Sequence, residues 1–280
     1  MTQRRMDRAT LDGIELEYEL RGTGEPVVLI HPGHFADWLM PLLDEPVLTG
    51  RYRVLSYHRV GCAGSSPVAG PVSFAQQAAH CHSLMRHFGI ARTHVVGHSS
   101  GGNIALQLAL DAPHAVHSLA LLEPALMAVP SAQTSRAFLG AAIQLCRAGD
   151  KAGAVDTFLQ GVCGPSYRAV LDQALPGAFA QHVVDADTFF GQELPALQQW
   201  SFTREDARRI TQPVLAVIGA QSQERDPIHG ERQALLLAWL PNVEPFALPD
   251  ATHLLQLQNL RGMAEGLAAF FARHPLPASA

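Results

Sequence analysis

The stretch THVVGHSSGGNIALQLAL, residues 93–110, constrains the fold more than any other part of the chain. An apolar, β-branched run stops at Gly97, and a run rich in Leu and Ala starts at Asn103, six residues later, so strand must give way to helix around G-H-S-S-G. Gly97 and Gly101 leave out Cβ atoms where strand and helix crowd together. Ser99 stands at the apex, where a tight strand-to-helix turn lifts a side chain off the sheet above the helix N-terminus. A strand that feeds a helix this directly is half of a βα unit, and repeated βα units build a mainly parallel sheet with helices on both faces.

The remainder of the chain repeats that alternation. Residues 14–19 (IELEYE) alternate in polarity and read as an antiparallel edge strand. Residues 27–30, 54–57, 94–96, 119–122, 214–218 and 243–248 read as short buried strands, and 74–88 and 102–110 as helices. Between Pro124 and about residue 209 the alternation stops. There, 131–147, 152–162, 167–179 and 193–200 read as helices broken by Gly and Pro, a helical insertion of about 128–204 expected to cover the sheet edge. A length of 280 residues suits one α/β domain carrying such an insertion. The helix around 235–240 (LLLAWL) reads as core, and oligomeric state is left open.

Charge and composition narrow the function classes. The net charge is −5 with 16% charged residues and no basic stripe, which argues against a nucleic-acid partner. No run approaches the roughly 18 apolar residues of a membrane span, and the arginines near the start precede no apolar segment, so a cytoplasmic protein is expected. Cys62, Cys81, Cys146 and Cys163 are scattered and read as reduced thiols. His80, Cys81, His82 and His87 cluster in FAQQAAHCHSLMRHFG, but helical neighbours point about 100° apart and do not converge on a metal. Neither metal nor cofactor is expected.

A serine hydroxyl attacks carbonyls only when a base takes its proton and the backbone exposes it, and the turn at Ser99 does the second. This stretch and the order of elements around it resemble the α/β-hydrolase superfamily over nearly the whole chain. The resemblance implies that His31-Pro32-Gly33, after the strand VVLI, belongs to the oxyanion loop. Proline replaces the usual glycine there and has no N–H to donate, so Gly33, or next to it His34, is the expected donor alongside the Ser100 amide. YHRVGCAGSSP resembles the family's Arg-Gly-x-Gly-x-Ser turn, with Arg59 anchoring the loop. His253, in the loop after the last strand, matches the catalytic histidine.

The usual acid is missing. Three residues past Gly219 the family carries an aspartate; here stands Ser222. Asp226, Asp250 and Glu123 are the candidate carboxylates to replace it. Glu123 closes the apolar strand SLALL at the carboxyl edge of the sheet, where open α/β folds build their sites, and Pro124 is expected to hold it extended. An acid at this strand end resembles zearalenone-type lactone hydrolases and one branch of haloalkane dehalogenases. The expected relay is therefore Ser99–His253–Glu123, with Asp226 the main alternative.

The insertion begins directly after Glu123, so its side chains should shape the substrate pocket. Candidate lining residues are His34, Phe35, Trp38, Leu126, Phe138, Phe158, Phe189 and Phe190, a largely apolar set suited to a small hydrophobic ester or lactone. The same fold also hosts perhydrolysis, carbon–carbon hydrolysis, acyl transfer, cofactor-free oxygenation and non-catalytic ligand receptors, which stand as alternatives.

Overall fold

The computed structural model describes residues 4–68 and 70–277. Eight strands form one sheet in the order β1-β2-β4-β3-β5-β6-β7-β8, where β1 is Asp7–Leu11, β2 Ile14–Arg21, β3 Glu25–Ile30, β4 Tyr52–Tyr57, β5 Thr93–His98, β6 Val116–Leu122, β7 Val214–Gly219 and β8 Val243–Leu248. From β4 to β8 neighbouring strands are parallel; β1 and β2 are antiparallel. The central strands are buried on both faces, as parallel strands covered by helices must be.

The edge differs from the sequence expectation. β2 is not at the edge, because β1 pairs outside it through Leu11↔Ile14 around a two-residue Asp12-Gly13 turn. Both turn residues have positive φ, +50° and +88°, the geometry that lets Asp-Gly close a right-twisted hairpin. That dipeptide was the available signal for β1.

Register aligns the strand ends. Ile30 pairs with Gly97, His98 with Leu122, and Leu122 with Val217, so the residues that follow β3, β5, β6 and β7 emerge side by side. Helix Ser100–Asp111 starts two residues earlier than its apolar pattern suggests, directly after Ser99. Between β6 and β7 run helices Ala132–Arg147, Lys151–Cys163, Tyr167–Ala174, Ala178–Val184 and Leu194–Gln199. The helix expected over 167–179 is two helices, since Leu175-Pro176-Gly177 interrupts it with Gly177 at φ +87°. A π-helical turn, Phe189–Glu193, precedes Leu194 and turns Phe189, Phe190 and Glu193 inward. Among the described residues no helix is long and apolar enough to cross a membrane.

Candidate active site

Ser99 is held in a backbone conformation that non-glycine residues rarely adopt, φ +52° and ψ −121°. Its N–H donates to Leu122 O at 2.9 Å, and its carbonyl accepts from Gly102 at 2.9 Å and Ala125 at 3.2 Å. The two glycines have steric reasons to be there. A Cβ on Gly97 would collide with the Gly101 carbonyl, and one on Gly101 with the Ile30 and His31 carbonyls.

Glu123 follows β6 and is buried. Pro124 does not keep it extended as expected. Its φ is +43°, because the chain leaves the sheet here while its N–H still donates to Val217 O at 3.1 Å. The carboxylate then faces three partners. The Gly219 N–H donates to Oε1 at 2.8 Å, and His253 Nδ1 lies 2.6 Å from Oε2. An ionised carboxylate only accepts, so Nδ1 carries the proton and Nε2 is left unprotonated. No hydrogen bond joins Ser99 Oγ to His253 among the described residues; both line the same cavity. Such bonds are often loose without substrate and tighten with it.

The third partner escaped the sequence reading. His229 Nδ1 sits 2.9 Å from the same Oε2, without the alignment of a hydrogen bond. His229 belongs to helix Pro227–Trp239, three residues past Asp226, and only its place after a strand end hinted at a site. Glu123, His229 and His253 are also the residues whose donor atoms, all within 4.8 Å of one another, form the one group able to surround a metal among the described residues. The histidine-rich segment of helix Phe74–His87 forms no such group.

Burial works to raise the Glu123 pKa, but His229 and His253 outweigh it and hold the carboxyl well below the usual range. Burial lowers the pKa of His253 below that of a free imidazole, against the opposing pull of Glu123. His98, between Trp38 and His253, is held neutral by burial. Asp226 caps its own helix, accepting from the Ile228 N–H at 3.0 Å, and makes no polar contact with His253 among the described residues. Asp250 is exposed, and Ser222 begins the short helix Ser222–Arg225.

The Gly33 amide is not free. It donates to Ser100 Oγ at 2.8 Å, and Ser100 Oγ in turn donates to Glu193 Oε1 at 2.5 Å. Arg59 does anchor the loop, through the Gly33 carbonyl, Gln77 and a buried ion pair with Glu193 at 3.0 Å.

A cavity of about 80 Å³ lies over Ser99 and His253. Phe35, Trp38, Phe138, Phe158 and Phe189 line it. Three expected lining residues do not. His34 is buried behind the wall, 4.5 Å from the Phe189 ring and 5.5 Å from His182; Phe190 packs on Phe189 at 5.1 Å; and Leu126 lines a separate groove beside Trp200 and Trp239. His34 and Phe190 are taken up by packing among aromatic rings, and Leu126 by that groove.

A parallel sheet with a strained serine after β5 and a histidine after β8 defines an α/β-hydrolase-fold protein. The sequence model of the alpha/beta hydrolase fold matches residues 26–160. The protein named as a carbamate hydrolase, RutD, of Klebsiella pneumoniae subsp. pneumoniae is 32% identical over 204 residues, 70% of this chain and 74% of that protein. The chain belongs to the α/β-hydrolase superfamily. The dihydrolipoyllysine-residue acetyltransferase component of the acetoin cleaving system of Cupriavidus necator is 41% identical over 119 residues, 41% of this chain, which spans only 31% of that protein's length. The solved structure of a thermophilic esterase from Thermogutta terrifontis superposes with a TM-score of 0.80 at 18% identity, covering 97% of this chain and 100% of that one.

Proposed function

We propose that this chain is a serine hydrolase that cleaves small hydrophobic carboxylic esters or lactones through an acyl-enzyme. The observation that carries the reading is the 2.6 Å contact of Glu123 Oε2 with His253 Nδ1 beside the cavity that Ser99 lines. Ser99 Oγ attacks the carbonyl while His253 Nε2 takes its proton and returns it to the leaving oxygen. Glu123 holds the tautomer and stabilises the imidazolium. The amides of Gly33 and Ser100 receive the oxyanion, and water, activated by the same histidine, releases the acid. The insertion acts as the roof. Its aromatic wall favours an apolar acyl group, and the narrow cavity favours a short one.

Two of the relatives bear on the choice of substrate. A carbamate presents the same carbonyl to the same serine, as the resemblance to RutD suggests. A bound alcohol or thiol in place of water would give acyl transfer, the alternative that the acetoin-system component suggests. The test is turnover of a p-nitrophenyl acyl series, a lactone and an aryl carbamate by wild type and Ser99→Ala. Wild type should release short-chain acids and Ser99→Ala should lose about 10⁴-fold or more. Turnover that survives in Ser99→Ala would sink the reading.

A further inference from the structure

We propose that Glu193, a residue of the insertion, is a positioning residue for the oxyanion pocket, holding the Gly33 amide toward the cavity through the hydroxyl of Ser100. The inference rests on the serine-hydrolase reading above. A carboxylate 4% exposed must be compensated, and the partners of this one are specific. Arg59, equally buried, donates from Nη2 to both carboxylate oxygens at 3.1 and 3.0 Å. The Ser100 hydroxyl donates its proton to Oε1.

Those two partners reach the two ends of one residue. Ser100 Oγ accepts the Gly33 N–H, and Arg59 Nη2 donates to the Gly33 carbonyl. Gly33 has φ +39°, and a Cβ there would press on the Phe35 and Phe189 rings at 3.2 Å. A glycine in this region can turn its amide away from the cavity at little steric cost unless its polar groups are held. Here both are held, and both through groups that Glu193 fixes. Before substrate arrives, Ser100 Oγ stands in as the acceptor that keeps the N–H aimed inward. As the tetrahedral oxygen gains charge it becomes the stronger acceptor and takes the N–H over. The Ser100 hydroxyl retains its proton and goes on donating to Glu193 throughout, so no proton is transferred.

A purely structural ion pair would show up in melting temperature and leave the balance of kinetic constants alone. Positioning of a transition-state donor appears instead in kcat, with KM little changed, because the ground-state carbonyl gains little from the donor. The experiment compares wild type, Ser100→Ala, Ser100→Thr and Glu193→Gln, each checked for folding by circular dichroism. The readouts are kcat and KM on one p-nitrophenyl ester and the Ki of a trifluoromethyl ketone that mimics the tetrahedral state. Ser100→Ala should lose about 10- to 100-fold in kcat, part of what a whole oxyanion donor is worth, with ketone affinity falling in parallel and KM within about twofold. Ser100→Thr, which keeps the hydroxyl, should recover most of it, and Glu193→Gln should lose in the same direction as Ser100→Ala. Unchanged kcat in Ser100→Ala overturns the proposal. So does a rise in kcat, which would mean that the hydroxyl competes with the oxyanion. Labelling of wild-type Ser99 by a fluorophosphonate, read by mass spectrometry, separates the two levels. An unlabelled Ser99 overturns the serine-hydrolase reading itself, whereas a labelled Ser99 with indifferent Ser100→Ala overturns only the role of Glu193.

Discussion

Glu123 and Asp226 are both carboxylates near the carboxyl edge of the sheet, and their environments separate them. Glu123 is buried against two imidazoles and the Gly219 amide, while Asp226 spends its carboxylate on the first turn of its own helix. Glu123→Gln should therefore lower kcat by about 10⁴-fold, the cost of losing an orienting acid, and Asp226→Asn should leave it within a few-fold. The reverse pattern in steady-state rates would transfer the acid role to Asp226. His253 also sets a pH expectation. In the proposed relay it acts as a base and so must be neutral, and activity is then expected above its pKa and lost as pH falls through it. Burial moves that pKa below the ordinary value of 6.5, with His229 and the Arg232 charge acting in the same direction and Glu123 opposing. The acid limb of kcat/KM should have its midpoint below 6.5. A midpoint above 7 would contradict this reading of the site.

At the scale of elements, the elbow between β5 and helix Ser100–Asp111 is packed against β3 so closely that side chains are excluded. Gly101→Ala would drive a methyl into the carbonyls of Ile30 and His31, which are backbone and have little room to yield. A loss of about 1–3 kcal/mol or more is expected, read as a fall of several degrees in melting temperature. An unchanged melting temperature would mean that the elbow is looser than its geometry implies. The insertion shows how much sequence reading depends on local signals. Its long helices were legible from apolar periodicity. The π-helical turn Phe189–Glu193 was not, because an extra residue in one helical turn leaves no mark in composition, yet it carries both Phe189 and Glu193 to the cavity.

At the scale of the whole molecule, stability against pH is set in part by a charged cluster that joins β2 to the loops after β3 and β4. His58, after β4, lies between Glu17 of β2 at 3.0 Å and Asp37 at 2.9 Å. Although burial lowers the His58 pKa, the two carboxylates raise it to about 9, and the hydrogen bond from His58 is the main cause that lowers Glu17 to about 2. A raised histidine contributes stability that is complete below its unfolded value of 6.5 and lost as pH rises through about 9. A depressed glutamate contributes stability that is complete above 4.5 and lost as pH falls through about 2. Melting temperature should hence be highest between those unfolded values and decline toward pH 9, and His58→Gln should flatten the alkaline decline. An equal alkaline decline in wild type and variant, followed by calorimetry, would remove His58 from the account.

By itself the sequence determined what local chemistry can determine. Glycine at 97 and 101 around Ser99 required a strand-to-helix turn, alternating apolar runs required a parallel sheet, and Ser222 in the usual acid position pointed to a carboxylate elsewhere. Which side chains meet was decided by tertiary structure. The tertiary fold ends β6 and β7 side by side, so that the Gly219 amide reaches the Glu123 carboxylate, and brings His229 and His253 to the other carboxylate oxygen from segments more than a hundred residues along the chain from Glu123. It also buried His34 and turned Leu126 aside while drawing in Glu193, which no motif marks. The physical reason is one of range. Propensity, turns and periodicity act over a few residues, but a buried charge finds its partner only where the fold closes space around it.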